Sequence, residues 1–209
     1  MDAPLTAVDV PALVLCGGQG TRLGGSTEKP LVTVCGDPML DRVVRALRDS
    51  RVSSVHAVTS PHAPRTRDRA RRLGLDVVDA PGEGYVSDLR HALDVVGTPA
   101  LTVAADLPFL ASDHVDRALS DATRDAAPDD ADVRIDSLTV CVPASVKRRL
   151  GVSVDTAFEH RGTDVAPTGL NVVGGEGDGT ETVSVVDDER LAVNVNRPAD
   201  REVAESRCD

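Results

Sequence analysis

The chain has 209 residues, 23 Lys+Arg against 34 Asp+Glu for a net charge of −11, and 41% hydrophobic residues. That is apolar enough for one sizeable α/β core and too apolar for a disordered chain. Tyr85, Phe109 and Phe158 are its only aromatics, which leaves no stacking platform for single-stranded nucleic acid, and acidity of this size repels phosphate polymers and anionic lipid.

Residues Val10 to Cys16 form a short, continuously apolar run that ends in glycines, the pattern of a buried parallel strand. A glycine loop follows from Gly17 to Gly25, and Leu31 to Val34 is a brief extended piece. Pro38 opens a helix with Leu40, Val43, Val44 and Leu47 on one face. Val52 to Thr59 is a second strand, Pro64 to Leu73 an arginine-rich helix, and Leu75 to Val78 a third strand. Tyr85 to Val95 has helical spacing, with Leu89, Ala92, Leu93 and Val96 on one side. Ala100 to Ala105 is a fourth strand that ends at Asp106, and Ser112 to Ala122 is a helix with Ser112 as its N-cap. Thr123 to Asp136 is polar and acidic and reads as a solvated loop. Leu138 to Val142 is another strand, Gly174 to Thr180 a flexible turn, Val183 to Val186 and Leu191 to Val195 late strands, and Pro198 starts a terminal helix.

This alternation predicts a Rossmann-like α/β fold, a mostly parallel sheet with helices on both faces. Ligands in such a sheet sit beyond the carboxyl ends of the strands. The glycine loop, Thr59, Asp79 and Asp106 each follow a strand directly, so they should gather at one edge.

Two composition details add to this. Lys29 and Lys147 are the only lysines, so 21 of the 23 basic residues are arginine, and Asp outnumbers Glu 26 to 8. A salt-adapted cell or a GC-rich genome would each produce that bias. Of Cys16, Cys35, Cys141 and Cys208, none forms Cys-x-x-Cys and no histidine has zinc-finger spacing, which argues against structural zinc. Cys16 and Cys141 read as buried core thiols. No apolar run approaches 18 residues and the first nine carry no basic residue, so neither a membrane helix nor a secretory leader is expected and the chain reads as cytoplasmic.

Gly17-Gly18-Gln19-Gly20-Thr21-Arg22-Leu23-Gly24-Gly25, followed by Glu28-Lys29-Pro30, carries the most chemistry. Glycines let backbone N–H groups approach and cradle phosphate oxygens, and Arg22 and Lys29 add positive charge to an acidic chain. A dinucleotide fingerprint would need glycine where Leu23 stands, and a phosphate-loop NTPase would need Gly-Lys-Ser/Thr, which is absent. The loop resembles the signature of the nucleotidyltransferase superfamily, and its form is similar to that of the archaeal GTP:adenosylcobinamide-phosphate guanylyltransferases. The resemblance continues through Thr59-Ser60-Pro61, Gly82-x-Gly84-Tyr85-x-x-Asp88-Leu89, Asp106-Leu107, Gly169-Leu170-Asn171-Val172-Val173 and Asn194-Val195-Asn196. It covers about residues 10 to 206. Molybdenum-cofactor guanylyltransferases share the size and the lysine but normally carry serine near the position of Thr21.

The resemblance implies one nucleotidyltransferase domain over residues 1–209, with a nucleotide-binding half (10–122), the acidic loop (123–136) and an acceptor-binding, closing half (137–206). It implies attack of an acceptor phosphate on the α-phosphorus of GTP with loss of pyrophosphate. Two anions must meet, so the site needs cations and oriented donors more than a base. In that scheme Leu15, Cys16, Gly17, Gly18, Gly20 and Thr21 hold base and phosphates, and Arg22 and Lys29 neutralise charge. Asp106 is a Mg²⁺ ligand, with Asn196 the second ligand and Asn194 its competitor. Asp79 could read the N1–H and N2–H₂ edge of guanine, as could backbone groups. Thr59, Ser60 and Gly84 would touch the nucleoside, and Asp88, Gly169 and Asn171 the acceptor. The expected partners are GTP and adenosylcobinamide phosphate, without nucleic acid or membrane insertion, and a homodimer is left open. The competing readings are guanylyl transfer to molybdopterin, nucleotidyl transfer to a sugar phosphate, and a non-catalytic nucleotide-binding module. Arg65, Arg67, Arg69, Arg71 and Arg72 spread around a helix and read as a solvated face.

Overall fold

The computed structural model describes residues 9–17, 23–24, 26–124, 134–175 and 181–208. β1 (Ala12–Leu15) runs into the glycine loop. After the loop, Pro30 sits in a 3₁₀ turn (Lys29–Leu31) that takes only the first residue of the extended piece expected over Leu31 to Val34. The chain then forms a small hairpin, β2 (Thr33–Val34) and β3 (Asp37–Pro38). Its two turn residues, Cys35 (φ 53) and Gly36 (φ 82), are both left-handed, as a tight primed turn requires. α1 (Met39–Arg48) buries Leu40, Val43, Val44 and Leu47, the face read from spacing. Each contributes roughly 1.5–3 kcal/mol by leaving water. β4 (Val55–Thr59), α2 (Pro64–Arg72), β5 (Asp76–Asp79), α3 (Tyr85–Val96) and β6 (Ala100–Ala104) follow as expected.

The second half departs further from expectation. In α4 (Ser112–Ala122) the N-cap is Ala111 and Ser112 is already helical. The histidine ring of His114 does the capping instead, accepting from Ala111 N at 3.1 Å. The ends of the acidic loop pair as β7 (Thr123–Arg124) and β8 (Arg134–Ile135), and residues 125–133 lie outside the described part. β9 (Leu138–Pro143) leads directly into a helix that the sequence reading did not foresee, α5 (Ala144–Leu150). β10 (Phe158–His160) and the eleven-residue β11 (Thr163–Val173) also exceed expectation, because Pro167 and Gly169 look like strand breakers. Of the Gly174–Thr180 turn, residues 176–180 are not described. β12 (Thr182–Val185) is the late strand expected. Leu191–Val195 is not a strand: Asp188 accepts from Arg190 N at 2.8 Å and caps a short helix, α6 (Glu189–Ala192), with extended chain after it. α7 (Pro198–Glu205) closes the fold.

The main sheet has the order β12-β9-β11-β6-β1-β4-β5, with β10 on β11. β6, β1, β4 and β5 are mutually parallel, β12 is parallel to β9, and β11 is antiparallel to both β6 and β9. Only β11 and its hairpin partner make the sheet mixed. α1, α2, α4 and α5 share one core cluster on one face, and α3 packs with Leu13, Val58, Val78 and Ala100 on the other. A third cluster, with Val32, Val34, Met39, Val193, Val195 and Ala204, binds the β2–β3 hairpin segment to α7. A disulfide between Cys35 and Cys208, 173 residues apart, joins the same two segments. Sequence reading had assigned those cysteines no partner. Cys16 and Cys141 are free and buried, as expected.

Candidate active site

The parallel strands end together, so Gly17, Thr59, Asp79 and Asp106 lie along one sheet edge. A cavity of about 480 Å³ opens there. Of the expected residues, Leu15, Cys16, Gly17, Lys29, Gly84, Asp88 and Asp106 line it, as do His62 and Tyr85, which had been given no role.

Two of its lining residues, Lys29 and Asp106, belong to a chain of contacts among five side chains. Lys29 Nζ donates to Asp106 Oδ2 at 2.5 Å and to Asn196 Oδ1 at 2.6 Å. The other oxygen, Asp106 Oδ1, accepts from Asn194 Nδ2 at 3.1 Å. Asn194 Nδ2 also donates to Thr168 O at 2.8 Å, and Asn194 Oδ1 accepts from Lys147 Nζ at 2.6 Å. Lys147 donates as well to Ala192 O at 2.9 Å. Flipping the Asn194 amide would set its oxygen against a carboxylate and a carbonyl, and its NH₂ against an ammonium. The network therefore fixes the amide's orientation. Both oxygens of the Asn194–Asp106 pair that face inward are consumed. Asp106 Oδ2 and Asn196 Oδ1 are left converging on a single cation. Lys147 is 4% exposed, and burial lowers its pKa below the ordinary lysine value, against the attraction of Asp106, Asp200 and Asp155.

Local structure explains the positions. Gly169 sits at φ 89 in an irregularity of β11 between Pro167 and Asn171, and a Cβ there would lie 3.1 Å from the Ala104 Cβ. This bulge turns the Thr168 carbonyl off the ladder and toward Asn194. Asp200, 1% exposed, accepts from Asn196 N (3.0 Å), Arg197 N (2.8 Å) and Ser153 N (2.7 Å), which anchors the Asn196 backbone at the start of α7. Glu28 accepts from Arg65 N at 2.9 Å and from Thr66 N and Thr66 Oγ1 at 2.6 Å each. The residue before Lys29 is thereby clamped to the N-terminus of α2, where a carboxylate also meets the positive end of the helix dipole.

The remaining expected residues are placed differently. Ser60 donates to Gly17 O at 3.1 Å and so holds the start of the glycine loop. Thr59 is fully buried and donates to Asp79 Oδ1 at 3.3 Å. Asp79 lies 3.6 Å from Arg67 Nη1 and does not line the cavity, so the structure does not aim it at a base. Asp88, expected on the acceptor side, lines the nucleotide-side cavity and accepts from Gly82 N at 2.8 Å. Gly169 shapes β11. Asn171 lines a second cavity, also about 480 Å³, between α3 and strands β6, β9 and β11, with Tyr85 as the wall it shares with the first. Gly18, Gly20, Thr21 and Arg22 fall outside the described residues. Burial pushes the Cys16 thiol up to about 12, so only its backbone can serve a ligand. Among the described residues no group of three or more His, Cys, Asp or Glu forms a metal cluster. No helix is long and apolar enough to cross a membrane.

Lys147, Glu28, Thr66 and Asp200 had been given no role from the sequence, although the first three stand in features it singled out. The scarcity of lysine was a usable signal for the first, and an acid three residues after Arg197, at the head of a helix, was one for Asp200.

The fold, with a basic and a carboxylate residue meeting at the strand ends beside a glycine loop, is that of a nucleotidyltransferase. The chain belongs to the MobA-like NTP transferase domain family, whose profile matches residues 12–162. It is 31% identical over 202 residues to the adenosylcobinamide-phosphate guanylyltransferase of Methanocaldococcus jannaschii, covering 93% of this chain and 95% of that one. It is also 34% identical over 125 residues to a molybdenum cofactor guanylyltransferase of Mesorhizobium japonicum, covering 56% and 57%. A solved CMP:2-keto-3-deoxy-manno-octonic acid synthetase shares the fold with a TM-score of 0.65 at 15% identity, over 95% of this chain and 96% of the other.

Proposed function

We propose that this protein transfers GMP from GTP to adenosylcobinamide phosphate, yielding adenosylcobinamide-GDP and pyrophosphate with Mg²⁺ as cofactor. The reading is carried by full-length similarity to a relative of that name, joined to the convergence of Asp106 and Asn196 on one cationic group. Their donor set fits Mg²⁺, which takes hard oxygens and is commonly held by one or two protein groups plus phosphate. When bound, the metal would neutralise phosphate charge and polarise the α-phosphate.

The chain's own residues do the rest. Asp106 presents Oδ2 because Asn194 holds Oδ1. Asn196 presents Oδ1 because Asp200 pins its backbone. Lys29 sits on a segment that Glu28 ties to α2, and its ammonium can turn from these two oxygens to the anionic triphosphate, a much stronger partner. The cavity between Gly17 and Gly84 encloses the nucleotide, and Tyr85 separates it from the cavity at Asn171, where the acceptor would enter.

The test is pyrophosphate release from GTP with Mg²⁺ and adenosylcobinamide phosphate in molar KCl, with ATP, CTP and UTP as controls. Release that needs both GTP and the cobinamide is expected. Release only with molybdopterin or a sugar phosphate would transfer the acceptor assignment there, and GTP binding without turnover on any acceptor would leave a binding module.

A further inference from the structure

Both lysines of this arginine-rich chain lie in the same network, one on each side of Asp106. Lys29 faces the cavity. Lys147 lies at the far end, 4% exposed, and its two acceptors, Ala192 O and Asn194 Oδ1, are both uncharged. An ammonium buried on two neutral oxygens is costly, and replacing such a group together with its partners by apolar side chains is often neutral or stabilising. Packing therefore does not account for Lys147. Nor does charge alone, since arginine fills nearly every other cationic position. What a lysine supplies is a compact group with tetrahedral donors, which fits between a carbonyl and an amide oxygen where a planar guanidinium fork does not.

We propose that Lys147 is a positioning residue for Asp106. By holding the Asn194 carboxamide it locks one carboxylate oxygen into the fold and presents the other to the catalytic cation. The inference rests on the metal site proposed above and deepens it. Without the ammonium, Asn194 loses the contact that opposes its flip, and a flipped amide would repel Asp106 Oδ1 and Thr168 O. The carboxylate would then swing, and the site would lose metal affinity and turnover together while GTP recognition, built by the glycine loop, stays.

The experiment measures Mn²⁺ binding in the presence of GTP by water-proton relaxation, beside Tm and steady-state kinetics, for the wild type and Asp106→Asn, Lys147→Met, Asn194→Ala and the Lys147→Met/Asn194→Ala double variant. Lys147→Met leaves Ala192 O and Asn194 Oδ1 without a donor, so its Tm should fall; where it stays folded it should lose about 10–100-fold in Mn²⁺ affinity, lose kcat in proportion, and leave KM for GTP nearly unchanged. The double variant should be no worse than either single one, because the lysine acts through the asparagine. Asn194→Ala removes the link but leaves the ammonium and its packing, so it gives the same readout should Lys147→Met not fold. Unchanged Mn²⁺ affinity in Lys147→Met or Asn194→Ala, or losses that multiply in the double variant, would overturn the proposal while Asp106→Asn still abolishes binding. Wild-type Mn²⁺ binding in Asp106→Asn would instead overturn the metal site itself, and this inference with it.

Discussion

The two halves of the chain build opposite sides of one carboxylate by different means. Residues 12–106 bring Asp106, Lys29 and Gly17 together: Gly17 and Asp106 follow β1 and β6, which pair in register, and Lys29 lines the same cavity. Residues 138–200 bring Lys147, Asn194 and Asn196 by irregular routes: a helix entered directly from β9, a bulge at Gly169, and an extended segment between two short helices. Asn194 and Asn196 show the difference most clearly. They are two residues apart on extended chain, a spacing that sends both side chains to the same side, toward Asp106 and Lys29. One is 8% exposed with both ends of its amide engaged, and the other meets the cavity-facing lysine. Identical residue types thus occupy a closed buried network and the side of a cavity-facing lysine. Regular strands deliver the reactive groups, and irregular backbone delivers what holds them still.

Substitutions can break this division, and they differ in size. Lys29→Ala strikes the first half and should lower kcat/KM about 10²–10³-fold with little change in Tm; turnover near the wild-type rate would remove Lys29 from the chemistry. Asp200→Ala strikes the second half. It leaves the backbone N–H groups of Asn196, Arg197 and Ser153 without their buried acceptor, so urea denaturation should report a loss of roughly 3 kcal/mol, with a fall in kcat. A loss in stability without any loss in kcat would show that Asn196 needs no anchoring.

Gly169→Ala sharpens the comparison, since it tests the bulge alone. Its φ of 89 and the nearby Ala104 side chain predict a loss of about 1–3 kcal/mol. Activity should drop by more than stability does, because Thr168 O moves away from Asn194. Equal activity in folded Gly169→Ala would show that the buried network tolerates displacement.

The smallest effect is in the acid range. Arg190, chiefly, holds the Asp188 carboxyl well below its usual range, with help from the His114 ring at 3.2 Å. A carboxylate with a depressed folded pKa adds stability above its unfolded pKa and loses it as pH falls through the folded value. Asp188→Asn should therefore be less stable than the parent at pH 7, and the gap should close as pH falls below about 4. A gap independent of pH in thermal melts would assign the Asp188 contribution to the capping of α6 alone.

Much of the first half was legible in the sequence because its signals are local. The run Val10–Cys16, the spacing in Met39–Arg48 and the strand ending at Asp106 each describe one element, and a parallel sheet turns element order into a shared edge. The bland reading of Arg65 to Arg72 also stands in part: Arg67 meets Asp79 and Arg69 pairs with Asp41, both on the protein's own acids. The second half hid its logic. No strand was expected across Pro167 and Gly169, yet β11 runs through them because its neighbours β6 and β9 supply enough pairing to carry a bulge. Leu191–Val195 is apolar enough for a strand, but the Asp188 cap starts a helix there. Asp79 followed its strand as expected and still turned toward Thr59 and Arg67, because the end of a strand fixes the position of a residue and its neighbours fix the direction of its side chain.

From the sequence alone came the α/β class, the sheet edge, the glycine loop with Lys29, Asp106 as its acidic counterpart, and the family resemblance. These depend on periodicity and on motifs only a few residues long. The tertiary structure alone decided that Asn194 is buried and Asn196 meets Lys29, that Lys147 reaches Asn194 across 47 residues, and that Cys35 meets Cys208. Those are contacts between segments with no local pattern in common, favoured because they give buried groups such as the Lys147 ammonium and the Asn194 amide their partners.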